Sequence, residues 1–409
     1  MEGKPLPRFP PSARFVLDST QLIATAPTSS AQSPRSHGLD TMRALAILSV
    51  VVFHILDFHG RDSLPGWLVP AASEGWMGVD LFFVLSGYLI SAQFLRTYRT
   101  GLRPRLGSFY RNRLYRVIPA YAVVLALYYA WPNWRESDNL PAFWTLITFT
   151  QNLFANIPHD HAFSHVWSLC VEEHFYLLFP LIVLVMMRKR SETTVARTVA
   201  LLAALVLAGI AIRTFVLFHT LRPMAEAGEY AGRVYMNRIY YPTYSRLDGL
   251  LAGVALGLVK TFRPVWWRAF LRRGHSLLVI GLCLTGIAGY LFWDRWDAVT
   301  GAAAVGTVIG PPLLSAGLAC LVASALSSNG WLRYRIPGAQ LLATLAYSMY
   351  LTHKELIHLI DQWCPSIAEG AMVRWLCVYA IACMLAAAIL YLCVERPFLV
   401  LRDRRAGKL

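Results

Sequence analysis

The sequence has little charge for its length. Asp, Glu, Lys and Arg make up 15% of its 409 residues, whereas hydrophobic residues make up 56%. A typical soluble domain carries roughly 25% charged residues, so this composition argues against one. Because apolar runs recur along most of the chain, a polytopic membrane protein is the class indicated.

Paired cysteine motifs are also lacking. The chain has seven cysteines, an odd number, and no CxxC spacing occurs among them. Most of these cysteines lie inside apolar runs, which argues against a disulfide framework and against a zinc site. We therefore expect no bound metal. Cys170 is expected to be inert, because its neighbours include carboxylates, which disfavour a reactive thiolate.

Acidic residues are scarce relative to basic ones. Lys and Arg number 38 against 23 Asp and Glu, for a formal net charge of +15. No basic, aromatic-interleaved patch stands apart from the apolar runs, so a nucleic-acid partner is not expected. The excess instead fits the positive charge that cytoplasmic loops of membrane proteins carry.

The apolar runs predict ten membrane-spanning helices of about 20 residues each. In the sixth, Gly249, Gly253 and Gly257 lie four apart, which indicates close helix packing. An eleventh apolar piece, residues 142–155, is short. The predicted spans are residues 39–58, 76–96, 115–131, 166–187, 197–219, 242–262, 275–293, 302–326, 339–360 and 371–394.

The loop charges predict how these spans are oriented. Loop 96–116 contains seven arginines, and the other strongly basic loops also face one side when ten spans are threaded with both termini in the cytoplasm. If residues 142–155 crossed fully, the later basic loops would face outward, so we expect a half-membrane segment there. The predicted organisation is a disordered cytosolic tail at residues 1–37, a transmembrane domain at 38–398 and a basic cytosolic tail at 399–409. No cleavable signal peptide is visible, and the first apolar helix is expected to direct insertion.

Ionisable residues inside the spans are the candidates for function, because each one is costly in hydrocarbon. Arg43 and His54 are eleven residues apart, close to three helical turns, so they share a helix face about 16 Å apart along the axis. Arg43 is expected near the cytosol, and His54 near the middle or outer half. An outer cluster of acids and bases is also expected, consisting of Asp80, Glu172, Glu173, Arg246 and Asp248, with His353 deeper.

Other interpretations of these residues remain open. Arg43 alone is compatible with an anchor at a helix end, and a lone intramembrane histidine with a packed core residue. Asp80, Arg246 and Asp248 are compatible with mutual pairing that only stabilises the fold. Glu172 and Glu173 point about 100° apart on a helix, so one of them is expected to face the interior.

The residue types suggest a chemistry. Histidine is a frequent general base, and arginines at an inner rim bind phosphate through forked hydrogen bonds. Together they describe a phosphorylated donor entering from the cytosol and a hydroxyl acceptor entering from outside. Buried charge at the midplane is equally typical of a transporter, and spacing alone does not separate the two.

Seven motifs occur in the order typical of one family. They are "GLDTMRALAILSVVVFH", "GVDLFFVLSGYLIS", "FYRNRLYRVIPAY", "HVWSLCVEEHFYLLFP", "YSRLDGLLAG", "YSMYLTHKELI" and "VERPF", and they extend over residues 38–398. Together they resemble the acyltransferase-3 family of integral membrane acyltransferases. The sequence departs from the family at position 174, where His174 replaces the usual Gln, and at Cys170, where a small or hydroxyl residue is commoner.

This resemblance implies transfer of an acyl group, often acetyl, from acyl-coenzyme A to a hydroxyl of an envelope or exported carbohydrate or glycolipid. It implies that His54 and Arg43 are catalytic and that Arg113 and Arg116, in the loop before the third span, bind the donor. Glu172, Glu173 and Asp80 are expected to orient His54 or the acceptor. Arg246, Asp248 and His353 are expected to form a substrate-binding or structural polar cluster.

The expected location is the inner membrane of the cell, with membrane lipid and envelope-biosynthesis proteins as partners. The chain ends soon after the tenth span, so a fused outer hydrolase-like domain is not expected. The alternatives are a transporter or flippase for a carbohydrate or acylated substrate, and a scaffold in an envelope-polymer complex.

Overall fold

The computed structural model describes residues 36–59, 66, 68–100, 105–157, 159–186, 193–293, 299–368 and 372–406. This part of the chain is helical and contains no β-strand, so the predicted all-α class is confirmed. Nearly all of the predicted N-terminal tail, residues 1–35 of 1–37, lies outside the described residues. So do the last three positions of the predicted C-terminal tail.

Ten helices of fifteen or more residues occur in the described chain, one at each predicted span, and they are numbered here in chain order. They are α1 His37–His59, α2 Met77–Arg99, α3 Leu106–Ala130, α4 Trp167–Met186, α5 Thr193–Val216, α6 Asp248–Phe262, α7 Gly274–Phe292, α8 Gly301–Ala325, α9 Ala339–Trp363 and α10 Met372–Leu390.

Shorter elements connect and extend these helices. The short α-helices are Val69–Ser73, Phe143–Ile147, Gln151–Phe154, Arg222–Glu226, Gly232–Tyr235, Pro264–Leu271, Pro365–Ala368 and Arg396–Arg405. Wider π-helical turns occupy Leu217–Leu221, Met236–Tyr240 and Tyr391–Glu395, and 3₁₀ turns occupy Pro132–Trp134, Ser164–Val166, Thr243–Ser245 and Trp331–Arg333.

Two predicted boundaries are wrong. Helix α3 begins at Leu106, so Arg113 and Arg116 lie on a helix and not in a loop. Helix α6 begins only at Asp248, because the first residues of the predicted span 242–262 form a 3₁₀ turn. Arg111, Arg113 and Arg116, which predicted a loop before the third span, therefore lie on the first turns of α3, where Arg113 is half-buried and the other two are exposed.

Seven helices of the described chain are long and apolar enough to cross a membrane, so the protein is a multi-pass membrane protein. These spans are His37–Phe58, Met77–Arg99, Ser164–Met186, Thr194–Glu226, Gly274–Phe292, Gly301–Ala325 and Arg374–Arg405. The more polar α3 and α9 and the shorter α6 are not among them. The count of ten crossings and the cytoplasmic position of both termini stay predictions.

Residues 142–155 do not form a continuous helix. They form the five-residue helix Phe143–Ile147 and the four-residue helix Gln151–Phe154, separated by Phe149, whose φ is +56°. A five-residue helix is about 8 Å long, far short of the hydrocarbon thickness. The predicted position of this segment, half-way into the membrane, stays a prediction.

Helices α1 and α2 are central, since both contribute to the two main hydrophobic clusters. The first cluster joins them to α3, α4, α9 and α10, the second joins them to α7 and α8, and α6 contributes to both. Helix α2 lies directly against α6, as the glycine spacing predicted: a Cβ on Gly253 would overlap the carbonyl oxygen of Val84, and one on Gly257 would overlap Ser91. This close approach positions α2 beside the site described next.

Candidate active site

Two histidines from the first and ninth helices meet inside the helix bundle. Nδ1 of His54 lies 3.0 Å from Nε2 of His353 and also 3.0 Å from the carbonyl oxygen of Val50. The His353 side chain is fully buried, and His54 is half-buried. Since 299 residues separate them in the chain, only the packing of α1 on α9 creates this pair.

The acceptors around the pair assign its protons. Nδ1 of His353 lies 2.9 Å from the carbonyl oxygen of Tyr350 and 3.1 Å from that of Met349. A carbonyl oxygen only accepts, so His353 carries its proton on Nδ1 and presents a lone pair on Nε2. That lone pair and the Val50 oxygen both accept from Nδ1–H of His54. The remaining nitrogen of His54, Nε2, is then the basic atom of the pair.

A cavity of about 440 Å³ lies between α2, α3, α4 and α9. Its polar lining includes four arginines and one carboxylate, so positive charge predominates in it. The arginines are Arg43, Arg113, Arg116 and Arg402, and the carboxylate is Glu172. A cavity of this size and charge fits the phosphates of a nucleotide-type ligand by forked hydrogen bonds.

One face of α9 leads from this cavity to the histidine pair. Ala346 and Tyr350 line the cavity, and His353 follows them at the i, i+4, i+7 spacing of a single helix face. On α1, Arg43 lines the same cavity and His54 contacts His353. The predicted sharing of one face of α1 by Arg43 and His54 is consistent with these contacts. Arg43 also pairs with Asp40 at 3.2 Å.

Arg113 is held by both adjacent glutamates of α4. Its guanidinium lies 3.3 Å from Glu172 and 3.0 Å from Glu173, and it stacks on the ring of Tyr176 at 3.7 Å. Glu172 also accepts hydrogen bonds from Ser86 and Tyr176 at 3.0 Å each. The partner of these acids is therefore Arg113, and the contact that orients His54 comes from His353.

Asp80 and Arg246 form a buried pair with two oxygen contacts of 2.9 and 3.0 Å, as one part of the expected mutual pairing. Asp248 does not join them. It pairs with Arg213 of α5, a fully buried arginine whose guanidinium donates to the two carboxylate oxygens of Asp248 at 2.8 and 3.2 Å. These two pairs connect α2 and α5 to the start of α6.

Several residues of this region were not singled out from the sequence. Arg213 had a usable signal, since it is a lone charge within the apolar run of α5. Tyr176 and Ser86 had none, because their contacts with Glu172 depend on how α4 and α2 pack. Arg402 was noted only as a tail charge, although it lines the cavity.

The geometry can be compared with known proteins. The family model described as Acyltransferase domain matches residues 36–393. The chain belongs to the acyltransferase-3 family. That match includes six of the seven motifs and the site residues from Arg43 to His353, and the resemblance inferred from the motifs is confirmed.

Curated relatives of the acyltransferase-3 domain are longer proteins. O-acetyltransferase OatA of Staphylococcus aureus (strain NCTC 8325 / PS 47) is 28% identical over 279 residues, which cover 62% of this chain and 38% of the relative. The putative peptidoglycan O-acetyltransferase YrhL of Bacillus subtilis (strain 168) is 26% identical over 380 residues, which cover 88% of this chain and 54% of the relative. The chain thus spans about half or less of their lengths. No solved structure matches it.

Proposed function

We propose that this protein is an integral membrane O-acyltransferase. It moves an acyl group, acetyl in the first instance, from cytosolic acyl-coenzyme A to a hydroxyl of an extracytoplasmic carbohydrate. The observation that carries the proposal is the oriented base: His353 and Val50 hold Nδ1 of His54, so that Nε2 is available to accept a proton. This base lies at the end of a helix face that begins in an arginine-lined cavity.

The arginine cavity supports a coenzyme A donor. Arg116 is exposed and Arg402 is half-exposed, so both can reach the diphosphate and 3′-phosphate of the donor from the cytosolic side. Arg113, fixed by Glu172 and Glu173, has less freedom and lies deeper in this scheme. The pantetheine arm then follows Ala346 and Tyr350 toward His54.

The reaction is a direct transfer in this proposal. His54 removes the proton of the acceptor hydroxyl through Nε2, and the hydroxyl oxygen attacks the thioester carbonyl carbon. When the carbon–sulfur bond breaks, the thiolate leaves and takes the proton from His54. An ester and free coenzyme A are the products, and no net proton is gained or lost. Arg43 lines the donor cavity on the same helix as His54, and His353 acts as a positioning residue.

The acceptor is proposed from chemistry and from the relatives. Two of these relatives are named as O-acetyltransferases, and the name of one of them gives peptidoglycan as its substrate. A glycan hydroxyl on the outer side also suits His54, which the predicted topology puts near the middle or outer half of the membrane. The location that follows is the inner membrane, where cytosolic donor and exported glycan or glycolipid are both accessible. Proteins of envelope biosynthesis are the partners expected there.

The test is release of free coenzyme A by the purified protein in detergent, with acetyl-coenzyme A and oligosaccharides of N-acetylglucosamine. Thiol release that needs the acceptor, together with a mass increment of one acetyl group on the sugar, supports the proposal. His54→Gln should reduce this turnover by at least about 10²-fold, the contribution of a general base. His174→Gln, which introduces the residue usual in the family, is the matched control and should remain active.

A transporter or flippase predicts a different result. It moves the carbohydrate across a proteoliposome membrane without consuming acyl-coenzyme A. Turnover retained by His54→Gln would remove His54 from the role of base. A scaffold would leave the acylation of the envelope glycan unchanged when the cavity arginines are neutralised.

A further inference from the structure

A second polar cluster lies next to the histidine pair, in a region to which the transfer reaction assigns no role. Glu136 follows the 3₁₀ turn after α3, His165 lies in the 3₁₀ turn before α4, and Glu355 lies on α9. One ligand-type atom of each of these three residues lies within 4.8 Å of the other two. Their side chains are 1%, 1% and 0% exposed, so the three groups converge at a site without bulk solvent.

The charges of this cluster do not balance. Two carboxylates, Glu136 and Glu355, face one ammonium group, that of Lys354, which lies 3.4 Å from Glu136 and donates to Ser164 at 3.0 Å. If both carboxylates are ionised, one negative charge is left over. A buried charge of this kind is neutralised by a proton or by a bound cation.

Unpartnered lone pairs decide between these two possibilities. Among the described residues, neither ring nitrogen of His165 has a hydrogen-bond partner, and neither does Oε2 of Glu355. The nearest approach, His165 Nε2 to Glu355 Oε1, is 3.8 Å, which is too long for a hydrogen bond. A shared proton would neutralise the charge but would leave the lone pair of His165 without a partner, whereas a cation would occupy that lone pair together with Oε2 of Glu355.

We infer that Glu136, His165 and Glu355 bind a divalent metal ion of the zinc class. Two carboxylates and one imidazole are ligands that Zn²⁺ accepts, and the hydroxyl of Tyr128, which contacts both carboxylates, is placed to complete the set. Ligand atoms about 2.1 Å from one ion lie at most about 4.2 Å apart, so binding draws the three side chains slightly closer. Residue spacing alone does not indicate this site, because its ligands come from three separate segments of the chain.

The role that follows for this ion is structural and concerns the position of α9. The ion would connect Glu136 and His165, which lie on either side of residues 142–155 in the sequence, to Glu355 of α9. Glu355 is two residues beyond His353, and the ring of His165 lies 5.3 Å from that of His353. Fixing these residues fixes His353, and through it the orientation of His54. The ion is not placed to contact the acyl group or the acceptor.

The experiment measures metal content of the full-length protein purified in detergent. After treatment with a chelator and titration with Zn²⁺, the unchanged protein should bind one ion per chain. Glu355→Gln and His165→Gln should each weaken binding at least about tenfold. Glu395→Gln is the matched control, since Glu395 is also a buried carboxylate facing α9, where it accepts from Ser348 at 2.8 Å. It should bind Zn²⁺ as the unchanged protein does.

X-ray absorption at the zinc edge identifies the ligand atoms of the bound ion. It therefore distinguishes this site from binding elsewhere, and it needs only the unchanged protein, so it does not depend on whether a variant folds. On the unchanged protein it should give only oxygen and nitrogen ligands, including one imidazole. Sulfur ligands, no stoichiometric binding, or full binding by both variants would overturn the inference, and the cluster would then hold a proton. Because none of these measurements uses acyl transfer, the metal site and the proposed function succeed or fail separately.

Discussion

At the residue scale, the orientation of His54 depends on two acceptors of its Nδ1–H, the carbonyl oxygen of Val50 and Nε2 of His353. His353 accepts from Nδ1–H of His54 only because its own Nδ1 is held by two carbonyl oxygens of α9. In many enzymes the side chain that acts as the base is oriented by a hydrogen bond to a further side chain, and His353 has that relation to His54. This relation makes His353 a positioning residue whose contribution can be measured.

Replacing His353 tests this arrangement. His353→Leu should lower kcat by about 10²-fold, because Nδ1–H of His54 loses the one of its two acceptors that comes from another helix and orients the ring. The KM for acyl-coenzyme A should hardly change. His353→Gln should recover part of the lost rate, since the amide oxygen can accept from Nδ1–H of His54. Equal rates for the Leu and Gln variants would show that His353 only fills space.

Replacing the exposed cavity arginines tests the donor site. Each hydrogen-bonded contact with a charged group contributes about 1.5–3 kcal/mol, so Arg116→Ala and Arg402→Ala should each raise the donor KM about tenfold or more. The acceptor KM should stay the same. Arg404→Ala is the control, because Arg404 is exposed on the same terminal helix as Arg402 but does not line the cavity. A donor KM that none of these changes alters would contradict the docking scheme.

At the element scale, two kinds of contact hold α6 in place. Its glycines let it approach the backbone of α2, and buried ion pairs connect the start of α6 to α2 and α5. The glycine stripe was predictable because its period of four is local. The partner of Asp248 was not, since Arg213 lies 35 residues away and reaches it only through tertiary packing.

A pair of identical substitutions tests the close packing. Gly253→Ala should destabilise the protein by about 1–3 kcal/mol, because the added methyl group meets the carbonyl oxygen of Val84. Gly286→Ala, on α7, meets no atom within 4 Å and should be neutral or slightly stabilising, since alanine favours the helix. The measurement is the melting temperature of each variant in detergent, which should be lower for Gly253→Ala than for Gly286→Ala. Similar melting temperatures for both variants would mean that α2 and α6 are further apart.

At the scale of the whole molecule, the direction of the helices decides which substrate meets which side of the site. If both termini are cytoplasmic, as the loop charges predict, the C-terminal end of α9 lies on the extracytoplasmic side of the membrane. Cys364, directly after α9, is exposed and therefore reports on that side. The other exposed cysteines, Cys283, Cys377 and Cys393, lie within apolar candidate spans, where lipid shields them from a charged reagent.

Labelling of intact cells with a membrane-impermeant maleimide checks this orientation. The protein should be labelled without permeabilisation, because the thiol of Cys364 is accessible from outside, and Cys364→Ser should remove the signal. The same variant should show no further labelling by this reagent beyond background. Labelling that occurs only after the membrane is permeabilised would reverse the topology and exchange the donor and acceptor sides.

The amino-acid sequence by itself determined the class of protein, the positions of ten long helices, the glycine stripe and the motif residues His54 and Arg43. These features are local: hydrophobic runs, helical spacing and residue order depend on near neighbours in the chain. Only the tertiary structure decided that His54 meets His353, that Arg213 meets Asp248, and that Glu136, His165 and Glu355 converge. Helical periodicity states which residues share a face, but packing among segments far apart in sequence decides which faces meet.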